Sequence, residues 1–80
     1  MPKTIHSAEY QAFLDQLVQA RLRAEISQAE LAKVIRKPQS YVSKYENGER
    51  RLDVVEFVTI SKALKADPRK IFNRLLRVMK

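Results

Sequence analysis

Two four-residue stretches of the sequence, SQAE at 27–30 and DVVE at 53–56, carry the pattern of a helix capping box. In this motif the N-cap serine or aspartate accepts a hydrogen bond from the backbone amide three residues on. The glutamate at that position accepts a hydrogen bond from the N-cap amide. Asp67-Pro68 gives a third start, since proline at the first helical position loses no hydrogen bond. Three helix starts within 80 residues limit the chain to short helices.

Apolar periodicity supplies the remaining helix boundaries. From Ser7 to about Arg23 apolar side chains recur at spacings of three and four, which predicts helix one. We expect helix two to begin at Gln28, helix four to run to about Lys65, and helix five to cover roughly residues 68–79. Two-residue alternation is never sustained, so no strand is expected. The sequence predicts an all-α domain. The residues that define the face of helix one are Tyr10, Phe13, Leu14 and Leu17.

The stretch PQSYVSKYENG at 38–48 predicts a third short helix, over 39–47. Pro38 disfavours the helical conformation at the residue before it, so the break after helix two is abrupt. Two short helices with a short connection are the frame of a helix-turn-helix, here about residues 27–48. If Val42 and Tyr45 point inward, the outward face carries polar side chains. These are Gln39, Ser40, Ser43 and Lys44.

Composition excludes several classes of protein. The chain has 80 residues and no cysteine, which predicts one small domain, 1–80, without disulfides. His6 has no evident metal or nucleophile partners, and one glycine cannot build a phosphate-binding loop. No segment is long and apolar enough for a membrane span. We therefore expect no catalysis, no metal, no cofactor and a cytoplasmic location.

The net charge of +7 favours a polyanionic partner such as nucleic acid. Most of the excess lies at the C-terminus, where residues 62–80 hold seven basic side chains and one acidic side chain. Two interpretations of that segment stay open, a solvated basic helix face and a set of phosphate contacts.

The run SQAELAKVIRKPQSYVSKYENGERR resembles the helix-turn-helix of the XRE family, which includes phage repressors and Cro. The similarity continues through LDVVEFVTISKALKADPRKIF, so it covers about residues 10–72. It implies a five-helix, lambda-repressor-like domain whose third helix enters the major groove of double-stranded DNA. It also implies a transcriptional regulator, most simply a repressor that binds a pseudo-palindromic operator. The alternative is a protein-interaction module, such as an antitoxin or assembly factor, with DNA binding secondary.

The outward face of helix three has the chemistry that base recognition requires. A glutamine can pair with adenine and a lysine can donate to guanine, so Gln39 and Lys44 are the predicted base readers, with Ser40 and Ser43 beside them. The resemblance implies that backbone contacts come from a second group of residues. It further implies an ion pair between helices one and three, Arg21 with Glu46. The predicted backbone group is Gln28, Tyr41, Asn47, Arg50 and Arg51, and packing against helix two is the alternative for Tyr41.

Position 36 departs from the pattern of the family. The family often has glycine where this chain has Arg36, because the backbone there tends to positive φ.

Helix five carries more apolar surface than one core requires. One stripe consists of Ile71, Leu75 and Val78, and one of the two stripes can close the core. A second stripe predicts a homodimer interface, and burial of both stripes within one monomer is the alternative. The second stripe consists of Phe72, Leu76 and Met79.

Overall fold

The computed structural model describes residues 7–79, and within that range it contains five α-helices and no strand. The all-α prediction is confirmed. Helix α3 ends at Glu46, with Asn47 as its C-cap, and α4 ends two residues before the predicted boundary. The last helix ends at Val78, one residue early. The bounds are α1 Ala8–Arg23, α2 Gln28–Val34, α3 Gln39–Glu46, α4 Val54–Ala63 and α5 Pro68–Val78.

Both predicted capping boxes are formed. Ser27 Oγ accepts from the Glu30 amide at 3.0 Å, and the Glu30 carboxylate accepts from the Ser27 amide at 2.7 Å. Asp53 and Glu56 make the same reciprocal pair at 2.7 and 2.8 Å. Helix α3 has no side-chain cap, because its N-cap residue is Pro38. Its start therefore depends on the packing of its inner face.

Four of the helices are followed, directly after the C-cap, by a residue in the left-handed conformation, called here the exit residue. Each exit has the two hydrogen bonds of a Schellman motif, as at the end of α2, where Lys37 N donates to Ala32 O at 2.9 Å. Gly48, at φ 79°, takes this role after α3. Arg36 keeps positive φ despite its side chain. The exit residues without glycine are Glu25 (φ 60°), Arg36 (φ 61°) and Lys65 (φ 57°).

The core lies between α1, the helix-turn-helix, α4 and the start of α5. Leu31, Val42 and Tyr45 are fully buried in the angle between α2 and α3, and Ala32 is buried where the two helices come close. Ile35 is half-buried beside them. The inward apolar pair predicted for α3 is confirmed. The remaining buried core residues are Leu14, Leu17, Ala20, Tyr41, Ile60, Leu64 and Ile71.

Helix α5 contributes less to this core than expected. Ile71 is buried and Leu75 is half-buried, but Val78 is 52% exposed. Of this stripe only Ile71 belongs to the buried core, since the buried cluster ends before the last turn of α5. The second stripe is exposed throughout, which rules out burial of both stripes in one monomer. Its exposed fractions are 52% for Phe72, 53% for Leu76 and 57% for Met79.

No helix within residues 7–79 has the length and apolar character needed to cross a membrane. In the same part of the chain, no group of three or more histidine, cysteine, aspartate or glutamate side chains is placed to hold a metal ion. His6 lies outside the described residues.

Candidate nucleic-acid interface

The outer face of α3 presents four polar side chains. Gln39, Ser40 and Lys44 are exposed and Ser43 is half-buried, while Val42 on the opposite face has no exposed surface. None of the four polar side chains forms a hydrogen bond or ion pair with residues 7–79. The helix is therefore anchored from one side and leaves its other side available for a ligand.

An ion pair fixes α3 against α1. Arg21 Nε donates to Glu46 Oε2 at 2.8 Å and Arg21 Nη2 donates to Glu46 Oε1 at 3.1 Å. The hydrogen bonds to Glu46 raise the pKa of the Arg21 guanidinium above its ordinary value. Arg21 Nη1 also donates to the carbonyl of Ile26 at 2.9 Å, in the connection between α1 and α2. One guanidinium thus holds both ends of the helix-turn-helix.

Gln28 belongs to the same network. Its Nε2 donates to Glu46 Oε1 at 2.9 Å, so the first residue of α2 is tied to the last residue of α3. A primary amide nitrogen carries two hydrogens, and this bond uses one of them. The second hydrogen has no hydrogen-bond partner among residues 7–79, and the bond to Glu46 fixes where the amide lies.

Arg50 is occupied by contacts within the protein. Its guanidinium makes a two-point ion pair with Glu56, at 2.8 and 3.2 Å, and donates to the carbonyl of Arg51 at 2.8 Å. It also lies over the ring of Tyr41, 4.6 Å from the centroid. These bonds lower the pKa of Glu56 to about 2, chiefly through the hydrogen bond from Arg50 and then through the Asp53 amide.

Tyr41 lies mainly in the core, with 9% of its surface exposed. Its ring meets Tyr45 edge-on at 5.9 Å, and Lys37 Nζ lies 5.3 Å from the ring centroid on the surface. Burial raises the pKa of the Tyr41 hydroxyl to about 12. The Tyr41 ring is therefore enclosed by Tyr45, Lys37 and Arg50.

The connection between α3 and α4 contacts Tyr10 of α1. Two of the residues predicted to contact the DNA backbone are exposed in this part of the chain. Leu52 N donates to the hydroxyl of Tyr10 at 3.1 Å, which ties the connection to α1. Arg51 lies over the Tyr10 ring at 5.4 Å, and both Arg51 and Asn47 are exposed. Asn47 caps α3 through its backbone amide, which donates to Ser43 O.

Lys37 is a surface cation that the sequence analysis did not include among the contact residues. It is exposed, it follows the left-handed turn at Arg36, and it precedes α3 by two residues. The sequence signal was available, since a basic pair stands directly before Pro38 in the turn of the predicted helix-turn-helix. With Lys37 included, exposed cations flank α3 at both ends.

An apolar groove lies away from α3, between the start of α1, the start of α4 and α5. Its volume is about 350 Å³, and Tyr10, Phe13 and Phe57 form part of its floor with Phe72 and Met79 from α5. Phe13 and Phe57 meet edge-on at 5.1 Å. The exposed stripe of α5 therefore borders a concave apolar surface.

The five-helix fold and the polar outer face of α3 define a helix-turn-helix domain. Residues 17–71 match the family model described as helix-turn-helix. A solved XRE-family like protein from Pseudomonas syringae pv. tomato str. DC3000 is 47% identical, covers 95% of this chain and 93% of its own, and superposes with a TM-score of 0.88. The chain belongs to the XRE family of helix-turn-helix proteins.

Two further solved structures are similar to this chain. The restriction-modification controller protein C.AhdI from Aeromonas hydrophila is 29% identical over 81% of this chain and 98% of its own, with a TM-score of 0.73. The clp gene regulator ClgR from C. glutamicum shares the fold at 20% identity, with a TM-score of 0.78 over 94% of this chain and 97% of its own. The search of curated protein sequences gave no significant match.

Proposed function

We propose that the protein is a sequence-specific transcriptional regulator that inserts α3 into the major groove of double-stranded DNA. The observation that carries the proposal is the division of α3 into a fully buried face and a face of unpaired polar side chains. Gln39 and Lys44 read bases, and Ser40 and Ser43 contact a base edge or a phosphate. One solved relative is a restriction-modification controller, which supports a regulatory role.

Backbone contacts come from residues around α3. Gln28 donates its second amide hydrogen to a phosphate, at the N-terminus of α2, where the helix dipole also favours an anion. Asn47 and Arg51 hold the DNA backbone beyond the other end of α3. Lys37 joins this group. Arg50 and Tyr41 instead support the surface from below, since their side chains are taken up by Glu56 and by the core.

We further propose that the protein acts in the cytoplasm as a homodimer, most simply as a repressor of promoters that overlap its operator. One module of this size makes few base contacts, so two half-sites are needed for useful specificity. The exposed α5 stripe of Phe72, Leu76 and Met79 is the dimer interface. A two-fold axis there would place the two α3 helices about 34 Å apart, in successive major grooves.

Selection of bound sites from random duplex DNA tests the function directly. We expect an enriched motif with two inverted half-sites. A double variant, Gln39→Ala with Lys44→Ala, should lose the motif while its melting temperature stays unchanged. Recovery of no enriched motif with the wild-type protein would contradict sequence-specific binding.

Sedimentation tests the dimer. Leu76→Glu should give a folded monomer that binds the selected operator much more weakly. Leu22→Glu is the matched control, because Leu22 lies on α1 with a nearly equal exposed fraction, 52% against 53%. A wild-type protein that sediments as a monomer at tens of micromolar and binds a palindrome without cooperativity would sink the dimer proposal.

A protein-interaction module is the second candidate. The observation that favours it is the apolar groove beside α5, which could receive a helix from another protein. Absence of a DNA motif, together with a monomeric wild-type protein, would favour this candidate over the first.

A further inference from the structure

A second concave site lies beside the C-terminal half of α1. It is a cavity of about 320 Å³ whose walls come from α1, the connection between α4 and α5, and the first half of α5. No residue of α2 or α3 lines it. Its volume is near the lower end of the range for small-molecule sites, about 300–1,000 Å³.

The lining of this cavity is strongly basic. Arg23 from α1, Lys65 from the connection, and Lys70 and Arg74 from α5 surround it, and Asp67 is the one carboxylate among the lining residues. Like charges gathered around one concavity raise its potential and favour an anion there.

Three of the four cavity cations have no ion-pair partner within the described chain. The Asp67 carboxylate accepts from both the backbone amide and Nε of Arg69, at 2.9 and 3.2 Å, so it is already shared. Arg23, Lys65 and Arg74 have no ion-pair partner among residues 7–79. An anion supplied from outside would therefore be the first close counter-charge for these three side chains.

Gln16 adds a polar group with an unmet requirement. It lines the cavity, and its Nε2 donates to the carbonyl of Ile71 in a long bond of 3.4 Å. Its Oε1 is buried and has no hydrogen-bond partner in the described chain. Because this oxygen is closed off from solvent, the cavity meets Gln16 through the other atoms of its side chain.

We propose that this cavity binds a small organic polyanion. The anionic groups lie among Arg23, Lys65, Lys70 and Arg74. Phosphate esters and polycarboxylates share this chemistry. A duplex backbone fits less well, because its phosphates lie on a convex surface and the cations line a concavity. Such a ligand would contact α1 and α5 at the same time. The site is independent of the proposed DNA contacts.

Nuclear magnetic resonance titration with citrate and with inorganic phosphate tests the proposal, with sodium chloride at matched ionic strength as the reference. We expect saturable shifts of the Gln16 side-chain amide and of backbone amides in 64–74. The double variant Lys70→Gln with Arg74→Gln should bind at least about tenfold more weakly, since it loses charged hydrogen-bond donors. Both side chains are exposed, so the variant should keep its melting temperature.

The control variant carries Lys44→Gln with Arg51→Gln, which removes the same charge from the proposed DNA surface and should leave anion binding unchanged. Arg23→Gln, on α1, is a second cavity variant and should weaken binding without any change in α5. Saturation by citrate alone would point to a carboxylate ligand, and saturation by phosphate alone to a phosphorylated ligand. The proposal is overturned if neither anion saturates beyond the chloride reference, or if cavity and control variants weaken binding equally. Shifts at these residues with random duplex DNA but neither anion would also overturn it.

Discussion

Arg21 and Glu46 join α1 to the last residue of α3 through two hydrogen bonds, at 2.8 and 3.1 Å. The side chains are 12% and 6% exposed, so the pair is largely withdrawn from water. The carboxylate also receives Gln28, and the guanidinium also reaches the carbonyl of Ile26. Removal of either partner would therefore leave a buried charge and a helix-turn-helix that is less firmly oriented.

We predict that Glu46→Gln lowers the free energy of unfolding by roughly 3–5 kcal/mol, because Arg21 would keep its charge in a site with no counter-ion. The double variant Arg21→Met with Glu46→Met should be less destabilised than that, since it leaves no buried charge. Urea unfolding followed by circular dichroism measures both. Glu49→Gln is the control at an exposed position. Equal unfolding energies for Glu46→Gln and Glu49→Gln would show that the pair does not stabilise the fold.

Gln39→Ala should cost about 1–3 kcal/mol at the selected operator and relax the preference at one base position. Binding to random duplex DNA should hardly change, because the side chain makes no contact that a random sequence shares. Titrations of both duplexes, at one salt concentration, measure the difference. If the two duplexes lose equal affinity, Gln39 does not read a base.

Arg50 and Arg51 are neighbours in the sequence, yet the structure predicts opposite effects for their removal. Arg51→Ala should change stability only slightly, since it loses one exposed contact with the Tyr10 ring. It should lower the slope of log affinity against log salt by roughly one unit, as expected for one lost phosphate contact. Arg50→Ala should instead destabilise the fold, since it removes the partner of Glu56 and the cover of Tyr41. Thermal melts and salt-dependent binding separate the two roles. An unchanged melt for Arg50→Ala would contradict its role as a support.

Glu56 should make the fold sensitive to acid. Its pKa is about 2 in the folded protein, against an ordinary value of 4.5. Because the folded-state pKa is depressed, its stabilising contribution is complete above about pH 4.5 and is lost as the pH falls toward 2. Solvent screening of this surface pair reduces the contribution to roughly 1 kcal/mol. Glu56→Gln should remove that part of the pH dependence, and Glu49→Gln should not. Identical acid-unfolding curves for Glu56→Gln and wild type would contradict the assignment.

Local signals in the sequence accounted for the helix starts and for the inner face of α3. Capping boxes and apolar spacing act within a few residues, so Ser27, Asp53 and Val42 could be placed without a structure. The hydrogen bond from Gln28 to Glu46 and the ion pair of Arg50 with Glu56 could not be predicted, because each depends on a partner that tertiary packing brings close. The left-handed exits at Glu25 and Lys65 were missed for a different reason. Glycine is the residue that usually marks a left-handed position after a helix, and these two positions lack it.

Substitution by glycine should stabilise the fold at the exit residues that lack glycine, and should destabilise it at the position just before one of them. Glu25 and Arg36 have φ of 60° and 61°, where a side chain costs roughly 1–2 kcal/mol relative to glycine. Glycine also increases the entropy of the unfolded chain, which offsets part of the gain. Glu25→Gly and Arg36→Gly should therefore each raise the free energy of unfolding by an amount on the order of 1 kcal/mol.

Ala24→Gly is the matched control for this prediction. Ala24 is the C-cap of α1, with φ −75°, directly before Glu25. Glycine gains nothing at that backbone angle and loosens the unfolded chain, so this variant should lose roughly 0.5–1 kcal/mol. Thermal melts of the three single variants decide the matter. Destabilisation by Arg36→Gly as large as that by Ala24→Gly would mean that the turn before α3 carries no strain in solution.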